Sequence, residues 1–343
     1  MAYACFSIAA ARDAFLERGH SAAKRFSQRD EPWRPCAPEV GPYAIAVIIP
    51  SEVPAKREVI SYLLNTARKV ALARVASRGV RAAKWLLGQS PELVARRQGL
   101  NWRLDLREGI DFSIYLLGSF EPSTVRCYRR LVRPGDVVLD IGANIGAHTL
   151  PLARLVGDSG KVIAFEPTQF AFEKLLANIA LNNGLSARIS PLQMMLVAEP
   201  SSTVPEAIYS SWPLEDSDDV HEQHRGRLMD TSGARAAPLD DVLDELGIRH
   251  VNFIKLDVDG SEDAVLGGAR ETLRRHSPYI LMELAPYVYD SKPAHFDALL
   301  ETLWGAGYVL RDMHGGHSLP HDVQRIREAI PSAGSINVLA SSS

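Results

Sequence analysis

The chain has 343 residues, 46% hydrophobic and 23% charged, and its formal net charge is −3. This composition is ordinary for one large folded domain plus an appendage, and the charge gives no overall indication of nucleic-acid binding. No apolar run reaches the roughly 20 residues that span a bilayer, and no secretory leader is recognised, so we expect a cytoplasmic protein. The three cysteines are far apart, so we expect neither disulfides nor a zinc site.

The first part of the chain divides into two segments. Residues 1–53 are interrupted by prolines, which predicts a weakly ordered N-terminal segment. Residues 54–97 form a basic helical region, in which 55–87 predict a helix with eight Lys or Arg residues and one acid, Glu58. This helix is either a solvated face on the main domain or a docking surface for an acidic partner: a carrier protein, a phosphorylated acceptor or an anionic membrane.

A regular pattern begins near residue 98, and we predict one domain over residues 98–343 with an irregular insertion at 198–237. Alternating apolar residues over 100–106 predict a strand, and 112–117 predict a second one. Pro122 is placed to begin a helix that continues to Leu131.

The most informative stretch is 137–146, Val-Val-Leu-Asp-Ile-Gly-Ala-Asn-Ile-Gly. It predicts a buried strand, a tight turn and a helix. Gly142 and Gly146 remove side chains where a ligand approaches the backbone, and Asn144 adopts the left-handed conformation at low cost. Such a turn points backbone N–H groups and a helix N-terminus at a small polar ligand.

Two ligand classes use such a turn. Dinucleotide sites carry Gly-x-Gly-x-x-Gly for the pyrophosphate, whereas this turn is Gly-x-x-x-Gly. S-adenosylmethionine has no phosphate, and an acid at the strand end, here Asp140, suits its ammonium group. The turn therefore favours S-adenosylmethionine, and a strand-turn-helix without a ligand is the remaining interpretation.

Glu166 ends the next predicted strand, 161–165, and lies about twenty residues after Gly146. A carboxylate at this position accepts hydrogen bonds from both hydroxyls of a ribose. Because NAD uses the same feature, Glu166 indicates an adenosine ligand rather than one particular cofactor. The alternative is a glutamate that only caps the turn.

Strands and helices alternate along the rest of the domain. We predict helices at 170–182, 239–246, 262–274 and 296–304, strands at 189–197, 251–256 and 279–282, and a terminal antiparallel pair at 308–310 and 336–339. This alternation predicts a doubly wound, mostly parallel α/β sheet with ligands at the carboxyl ends of its strands.

Three acids follow the strand 251–256, at the expected mouth of the sheet. Helix capping accounts for Ser261 and Glu262, but not for Asp257 and Asp259 at the strand tip. The two aspartates are hypothesised to face a sulfonium, an acceptor hydroxyl or a cation. Lys255 is interpreted as a buried partner of one of these acids.

An alcohol needs a base or a metal to react at neutral pH. The candidate catalytic residues are Asp257, Asp259, Glu262 and His148, although a lone histidine such as His148 is often structural. His314, His317 and His321 have a spacing that suits a metal, but a polar substrate loop is the preferred interpretation, so a divalent metal is not supported.

The segments together resemble the FkbM family of S-adenosylmethionine-dependent methyltransferases over roughly residues 98–340. The matching pieces are Leu104-Asp-Leu106, Gly118-Ser-Phe-Glu121, Asp140-Ile-Gly-Ala-Asn-Ile-Gly146, Ala164-Phe-Glu-Pro167, Leu239-Asp-Asp241, Ile254-Lys-Leu-Asp-Val-Asp-Gly-Ser-Glu262, Val265-Leu266, Gly268-Ala269 and Glu283.

This resemblance implies a class I Rossmann-like methyltransferase fold and O-methylation of a hydroxyl on a secondary metabolite or carbohydrate. It also implies the cofactor-binding residues: Glu121 closes over the donor, Glu166 holds the ribose, Gln193 and Met194 flank the adenine, and the methionine end is held by Asp140, Gly142, Asn144 and Gly146.

Two other functions stay open. One is a nicotinamide-dependent oxidoreductase, which the Gly-x-x-x-Gly turn disfavours. The other is a non-catalytic module that binds an adenosine ligand or docks a carrier protein, which has no need for the acids after the strand 251–256. The expected partner is a small-molecule or carbohydrate acceptor, free or bound to a carrier protein, and no nucleic acid.

Overall fold

The computed structural model describes residues 66–215, 226–332 and 334–342. The predicted weak order of residues 1–53 lies outside the described residues. The helix predicted at 55–87 is present as Thr66–Leu86 where the chain is described. Within the described residues, no helix is long and apolar enough to cross a bilayer.

The elements are numbered in chain order. The helices are α1 (Thr66–Leu86), α2 (Gly109–Leu117), α3 (Pro122–Leu131), α4 (Thr149–Leu155), α5 (Gln169–Ala180), α6 (Asn183–Ser186), α7 (Leu239–Glu245), α8 (Glu262–Gly267), α9 (Arg270–His276), α10 (Pro293–Gly305) and α11 (Val323–Ala329). The strands are β1 (Glu92–Arg97), β2 (Leu100–Asp105), β3 (Val137–Ile141), β4 (Lys161–Phe165), β5 (Ile189–Leu192), β6 (Met194–Leu196), β7 (Ala207–Ser210), β8 (Arg227–Asp230), β9 (Arg235–Ala237), β10 (Phe253–Leu256), β11 (Tyr279–Leu284), β12 (Tyr308–Asp312) and β13 (Ile336–Ser342).

Seven strands form the central sheet, in the order β12-β13-β11-β10-β3-β4-β5. The neighbours from β11 to β5 pair in parallel, whereas β13 runs antiparallel to both β11 and β12. The predicted doubly wound, mostly parallel sheet with a terminal antiparallel pair is therefore confirmed. Chain order reverses between β3 and β10, which opens a crevice at their carboxyl ends.

Both faces of the sheet are buried, which explains the nearly continuous apolar runs in its strands. One core joins Leu139 and Phe165 to residues of helices α7 to α11, and the other joins Val138 and Ala164 to residues of α2 to α5. All four residues of β10 are buried, including Lys255. Helices on both faces leave only the strand ends open to ligands.

Some predicted elements are wrong. The strand expected at 112–117 is part of helix α2, in which Ile110 and Ile114 lie one turn apart and are both buried. A short apolar run does not distinguish a strand from a buried helix. The helix expected at 262–274 is divided into α8 and α9, which are separated at Gly268. The backbone comes so close to Val197 there that a Cβ atom at Gly268 would lie 2.2 Å from the carbonyl oxygen of Val197.

The region after β5 also differs from the prediction. The strand expected at 189–197 is divided into β5 and β6, which belong to different sheets. The insertion expected to be irregular at 198–237 contains the antiparallel pair β7–β8 and the strand β9, which pairs with β6. These strands are only three or four residues long, too short for a periodic signal.

The turn after β3 requires a glycine for a steric reason that the sequence does not show. Gly142 has φ of +80°, and a Cβ atom there would lie 1.8 Å from the carbonyl oxygen of Asp257. The missing side chain therefore lets the ends of β3 and β10 approach each other, rather than making room for a ligand.

Replacing this glycine tests the close approach. We expect Gly142→Ala to lower the free energy of unfolding by roughly 3 kcal/mol or more, because the backbone of Asp257 has to move. Gly247→Ala is the matched control, since Gly247 has φ of +67° with no atom within 4 Å of the added Cβ, and its cost is about 1 kcal/mol. Equal losses in chemical denaturation would contradict the proposed clash.

Candidate active site

A cavity of ≈ 320 Å³ lies at the carboxyl ends of β3, β4 and β10. Seven of the residues proposed from the sequence line it: Gly142, Asn144, His148, Glu166, Met194, Asp257 and Asp259. Five others do not: Glu121, Asp140, Gly146, Gln193 and Glu262. The structure thus brings most of the predicted residues together and places the remaining ones behind or beside the cavity.

Glu166 ties the glycine turn to the end of β4. One carboxylate oxygen accepts the backbone N–H of Asn144 at 2.9 Å, and the other accepts the backbone N–H of Thr168 at 2.9 Å and its hydroxyl. A carboxylate has about four acceptor positions, so Glu166 keeps room for one further donor. Burial raises the pKa of this carboxyl, and its hydrogen bonds to Thr168 and Asn144 oppose the increase.

Asn144 shapes the turn itself. Its φ is +47°, a conformation that asparagine tolerates well. Its side-chain oxygen accepts the N–H of Ile145 at 2.9 Å, and its amide nitrogen lies 3.4 Å from the hydroxyls of Ser210 and Ser211. The turn is therefore linked both to β4 and to the insertion that follows β6.

Asp140 lies below the cavity rather than in its wall. It is fully buried, accepts a hydrogen bond from the hydroxyl of Thr149 at 2.6 Å, and has no partner for its other oxygen. Burial raises the pKa of Asp140, and the charge of Lys255 opposes that increase. The direct ligand contact expected of Asp140 is not what this arrangement shows.

Gly146 and Gln193 have roles in packing. A Cβ atom at Gly146 would lie 2.8 Å from a methyl group of Leu175, so this glycine allows α5 to approach the turn. The side-chain amide of Gln193 donates to the carbonyl of Ser232 at 2.9 Å. Only Met194 of the expected pair of adenine neighbours lines the cavity.

Lys255 provides the cationic group of the site. It is 4% exposed, lines the cavity and pairs with Asp257 at 2.7 Å. Lys255 is also the register partner of Asp140 on the neighbouring strand β3. The sequence interpretation of Lys255 as a buried partner of the acids is confirmed. Burial lowers the pKa of Lys255, but the charges of Asp257 and Asp140 outweigh it and raise the pKa overall.

Glu262 holds the loop that carries the two aspartates. Its oxygens accept the backbone N–H groups of Val258 at 3.2 Å and Gly260 at 3.1 Å, and they also accept the hydroxyl of Tyr289. Because Glu262 does not line the cavity, the catalytic role predicted for it has no geometric support, and the capping role explains its contacts.

Carboxylates crowd around the loop. Desolvation and repulsion from Asp257 and Glu262 raise the pKa of Asp259, and the charge of Lys255 opposes the increase. Glu283 on β11 accepts the hydroxyl of Ser335, and burial together with the charge of Asp257 raises its pKa to about 8. The family resemblance includes Glu283 without giving it a role. Its position on β11, two strands from β3, brings it near Asp257.

His148 lies beside the turn as a neutral imidazole. It is 3% exposed, and burial and the charge of Lys255 hold its pKa well below the usual range. Its Nδ1 lies 3.5 Å from the hydroxyl of Tyr128, whereas its Nε2 has no hydrogen-bond partner. The carboxylate of Glu121 lies 3.8 Å from that Nε2.

Five consecutive residues of the insertion, Ile208 to Trp212, also line the cavity. Trp212 contacts Phe120, which in turn lies against His148. No motif marks these residues in the sequence. The only signal was that long connections are commonly functional.

The histidines of the loop after β12 do not form a site. His321 stacks on Trp304 with ring centroids 4.1 Å apart. In the described ranges, no group of three or more His, Cys, Asp or Glu side chains is placed to hold a metal ion.

The fold and this site define the protein class. The central sheet is parallel except for β13, which lies between β11 and β12 and runs antiparallel to both. A glycine turn follows the first strand of this sheet, β3, and an acid follows the next strand, β4. Together these features define a class I methyltransferase fold. The model of the family described as "Methyltransferase FkbM domain" matches residues 140–310. The chain belongs to this family.

Curated relatives are similar over the same part of the chain. The 31-O-demethyl-FK506 methyltransferase FkbM of Streptomyces tacrolimicus is 32% identical over 176 residues, which are 43% of this chain and 66% of that protein. The 2-O-methyltransferase NoeI of Sinorhizobium fredii is 26% identical over 165 residues, 45% of this chain and 67% of that protein. The chain thus aligns with about two thirds of these relatives.

Solved structures are similar at low identity. The methyltransferase FkbM from Methylobacillus flagellatus has a TM-score of 0.37 at 18% identity, covering 68% of this chain and 56% of that one. An O-methyltransferase from Thermotoga maritima has a TM-score of 0.36 at 14% identity, covering 76% of this chain and 80% of that one. The strand order, rather than these scores, establishes the fold.

The raised pKa of Glu283 predicts a dependence of stability on pH. The folded-state pKa of about 8 lies above the ordinary value of 4.5, so the unfolded chain loses its proton first and stability falls as the pH rises from 5 to 8. We expect Glu283→Gln to reduce this fall by roughly 2 kcal/mol, as measured by thermal unfolding at both pH values.

The control is Glu301→Gln, which changes an exposed glutamate on α10. It is expected to leave the fall in stability unchanged. An equally steep fall in the Glu283→Gln protein would show that Glu283 is not the group responsible.

Proposed function

We propose that the protein transfers the methyl group of S-adenosylmethionine to a hydroxyl group of a small secondary metabolite or carbohydrate. The observation that carries the proposal is the cavity between the glycine turn, Glu166 and the loop with Asp257 and Asp259. Its position at the crevice between β3 and β10 is the ligand position of doubly wound sheets, and its volume is within the range of small-molecule sites.

The residues in the cavity fit the parts of this donor. Glu166 has one acceptor position left, which suits one ribose hydroxyl. Met194 and Phe165 supply an apolar surface for the adenine, and Asp257 supplies a carboxylate for the ammonium or sulfonium group. The bound donor supplies an electrophilic methyl group, so the protein has to align and deprotonate the acceptor.

His148 is the best-placed base. An imidazole that stays neutral keeps a lone pair for a proton, and the Nε2 of His148 is not committed to another group. As the oxygen–methyl bond forms and the sulfur–methyl bond breaks, the sulfur keeps the electron pair and the hydroxyl proton passes to Nε2. Before the reaction, the ammonium of Lys255 opposes protonation of His148. The carboxylate of Glu121, 3.8 Å from Nε2, stabilises the imidazolium once it forms.

The ion pair with Lys255 gives Asp257 a different role. Asp257 is held by Lys255 at 2.7 Å, so one of its carboxylate oxygens is already committed to a partner. We assign it to positioning the donor. Asp259 lies further out, where it faces the acceptor.

The names of the relatives support an oxygen acceptor, because one is a 31-O-demethyl-FK506 methyltransferase and another a 2-O-methyltransferase.

The aromatic surface of Tyr209 and Trp212 suits the apolar faces of a sugar or macrocycle. A carrier protein that delivers the acceptor, docked on basic helix α1, stays a prediction.

Calorimetric titration of the donor tests the proposal. We expect Glu166→Ala to weaken binding of S-adenosylmethionine at least tenfold, because the turn loses its link to β4 and the ribose loses an acceptor. Glu173→Ala is the control, since Glu173 lies on the adjoining helix α5 and does not line the cavity. Circular dichroism has to show an unchanged fold.

The same titration separates the alternatives. Saturable binding of NAD and none of S-adenosylmethionine would favour the oxidoreductase. Donor binding without any product that is heavier by a methylene group, across a panel of hydroxylated acceptors, would favour the non-catalytic module.

A second prediction concerns the base. We expect His148→Gln to reduce kcat by roughly 10²- to 10⁴-fold and to change the dissociation constant of the donor less than twofold. Asp257→Asn is the comparison, because it is expected to weaken donor binding as well. Because the lowered pKa keeps His148 neutral from pH 6.5 to 8, titration of His148 should add no inflection to the pH profile of wild-type activity in that range. A His148→Gln enzyme with full kcat would remove His148 from the mechanism.

A further inference from the structure

A second cavity, of ≈ 260 Å³, lies behind the first one. It is bordered by the start of β2, the connection between α2 and α3, and helices α3 and α4. Ala147 lines both cavities, so only the chain beside His148 separates them. Its polar lining consists of Gln98, Ser119, Trp102, Arg129 and Arg154, and its apolar lining includes Leu100, Val125, Pro151 and Leu155.

Two guanidinium groups converge on one residue in this cavity. Arg129 donates to the side-chain oxygen of Gln98 at 3.1 Å, and Arg154 donates to its backbone oxygen at 2.5 Å. Among the described residues, no carboxylate lies within 4 Å of either guanidinium, whereas other arginines there do pair with carboxylates, such as Arg107 with Asp105 and Arg235 with Glu245. Both side chains are exposed at the edge of the cavity, where their remaining N–H groups are open to a bound anion.

A buried donor without a partner adjoins the same cavity. Trp102 is 2% exposed, and its indole N–H has no acceptor. A buried N–H group without an acceptor costs roughly 1–3 kcal/mol, so such groups are rare unless a ligand or water completes them. Ser119, also buried, adds a hydroxyl group to the lining.

The backbone holds the two arginines in place. Gln98 has φ of +47° and Gly99 has φ of +78°, so the turn between β1 and β2 bends sharply at the cavity. A Cβ atom at Gly99 would lie 3.1 Å from a guanidinium nitrogen of Arg154, and one at Gly118 would lie 3.2 Å from the amide nitrogen of Gln98. The two glycines therefore leave room for the side chains of Arg154 and Gln98 at the edge of the cavity.

We propose that this second cavity binds the phosphoryl group of a small phosphate monoester. Two cations without carboxylate partners balance a dianion, and the guanidinium, indole and hydroxyl donors match the many acceptor positions of a phosphoryl group. The apolar wall of Leu100, Val125, Pro151 and Leu155 holds the organic part of the ester. The site does not depend on the methyl donor.

Calorimetry without a methyl donor tests this site with phenyl phosphate, inorganic phosphate and benzoate. We expect saturable binding of phenyl phosphate, weaker binding of inorganic phosphate, which lacks the ring, and weakest binding of benzoate, which carries a single charge. Arg129→Gln and Arg154→Gln should each weaken phenyl phosphate binding roughly tenfold or more. Arg126→Gln is the matched control, because Arg126 is exposed on the same helix α3 and does not line the cavity.

Every result of this experiment decides the proposal. Binding that is lost with Arg129 and Arg154 but kept with Arg126 supports it. No saturable heat with phenyl phosphate, equal binding in all three variants, or benzoate bound as tightly as phenyl phosphate would overturn it. Donor titration of the same variants keeps this test separate from the proposed function, because their affinity for S-adenosylmethionine is expected to be unchanged.

Discussion

One buried ammonium group holds the active site together electrostatically. Lys255 lies between Asp140 and Asp257 at the junction of β3 and β10, with Asp259 and Glu283 nearby. Without a cation, several carboxylates would share a poorly hydrated space, and leaving one partner of such a buried pair alone costs about 3–5 kcal/mol. The sheet order places the lysine there, since β3 and β10 become neighbours only where the chain reverses direction across the sheet.

The same charge sets the chemistry assigned to the site. A cation beside His148 keeps the imidazole neutral, and burial acts in the same direction. The same ammonium pairs with the carboxylate of Asp257. One residue thus distinguishes two candidates that the sequence offered as equivalent, because a cation repels a protonated imidazole and attracts a carboxylate.

Much of the fold followed from local patterns. Apolar strands that are buried on both faces read clearly, and the strand-turn-helix at 137–146 and the acid at 166 were recognised before any tertiary contact was known. Helix α2 and the short strands β7 to β9 were not, because their identity depends on what they pack against. The residues Tyr209 to Trp212 were missed for this reason, although they line the cavity.

The sequence by itself determined which residue types end each strand, and so the family and seven of the residues that line the cavity, since side chains at strand ends are set by position along the chain. Only the tertiary structure decided which of the acids reach the cavity: it placed Asp140 beneath the cavity and Glu262 behind the loop, and it brought Glu283 close enough to Asp257 for their charges to interact. It also brought Arg129 and Arg154 to one residue far from both in the chain. The physical reason is that burial and charge proximity arise from contacts between distant segments, which no local pattern records.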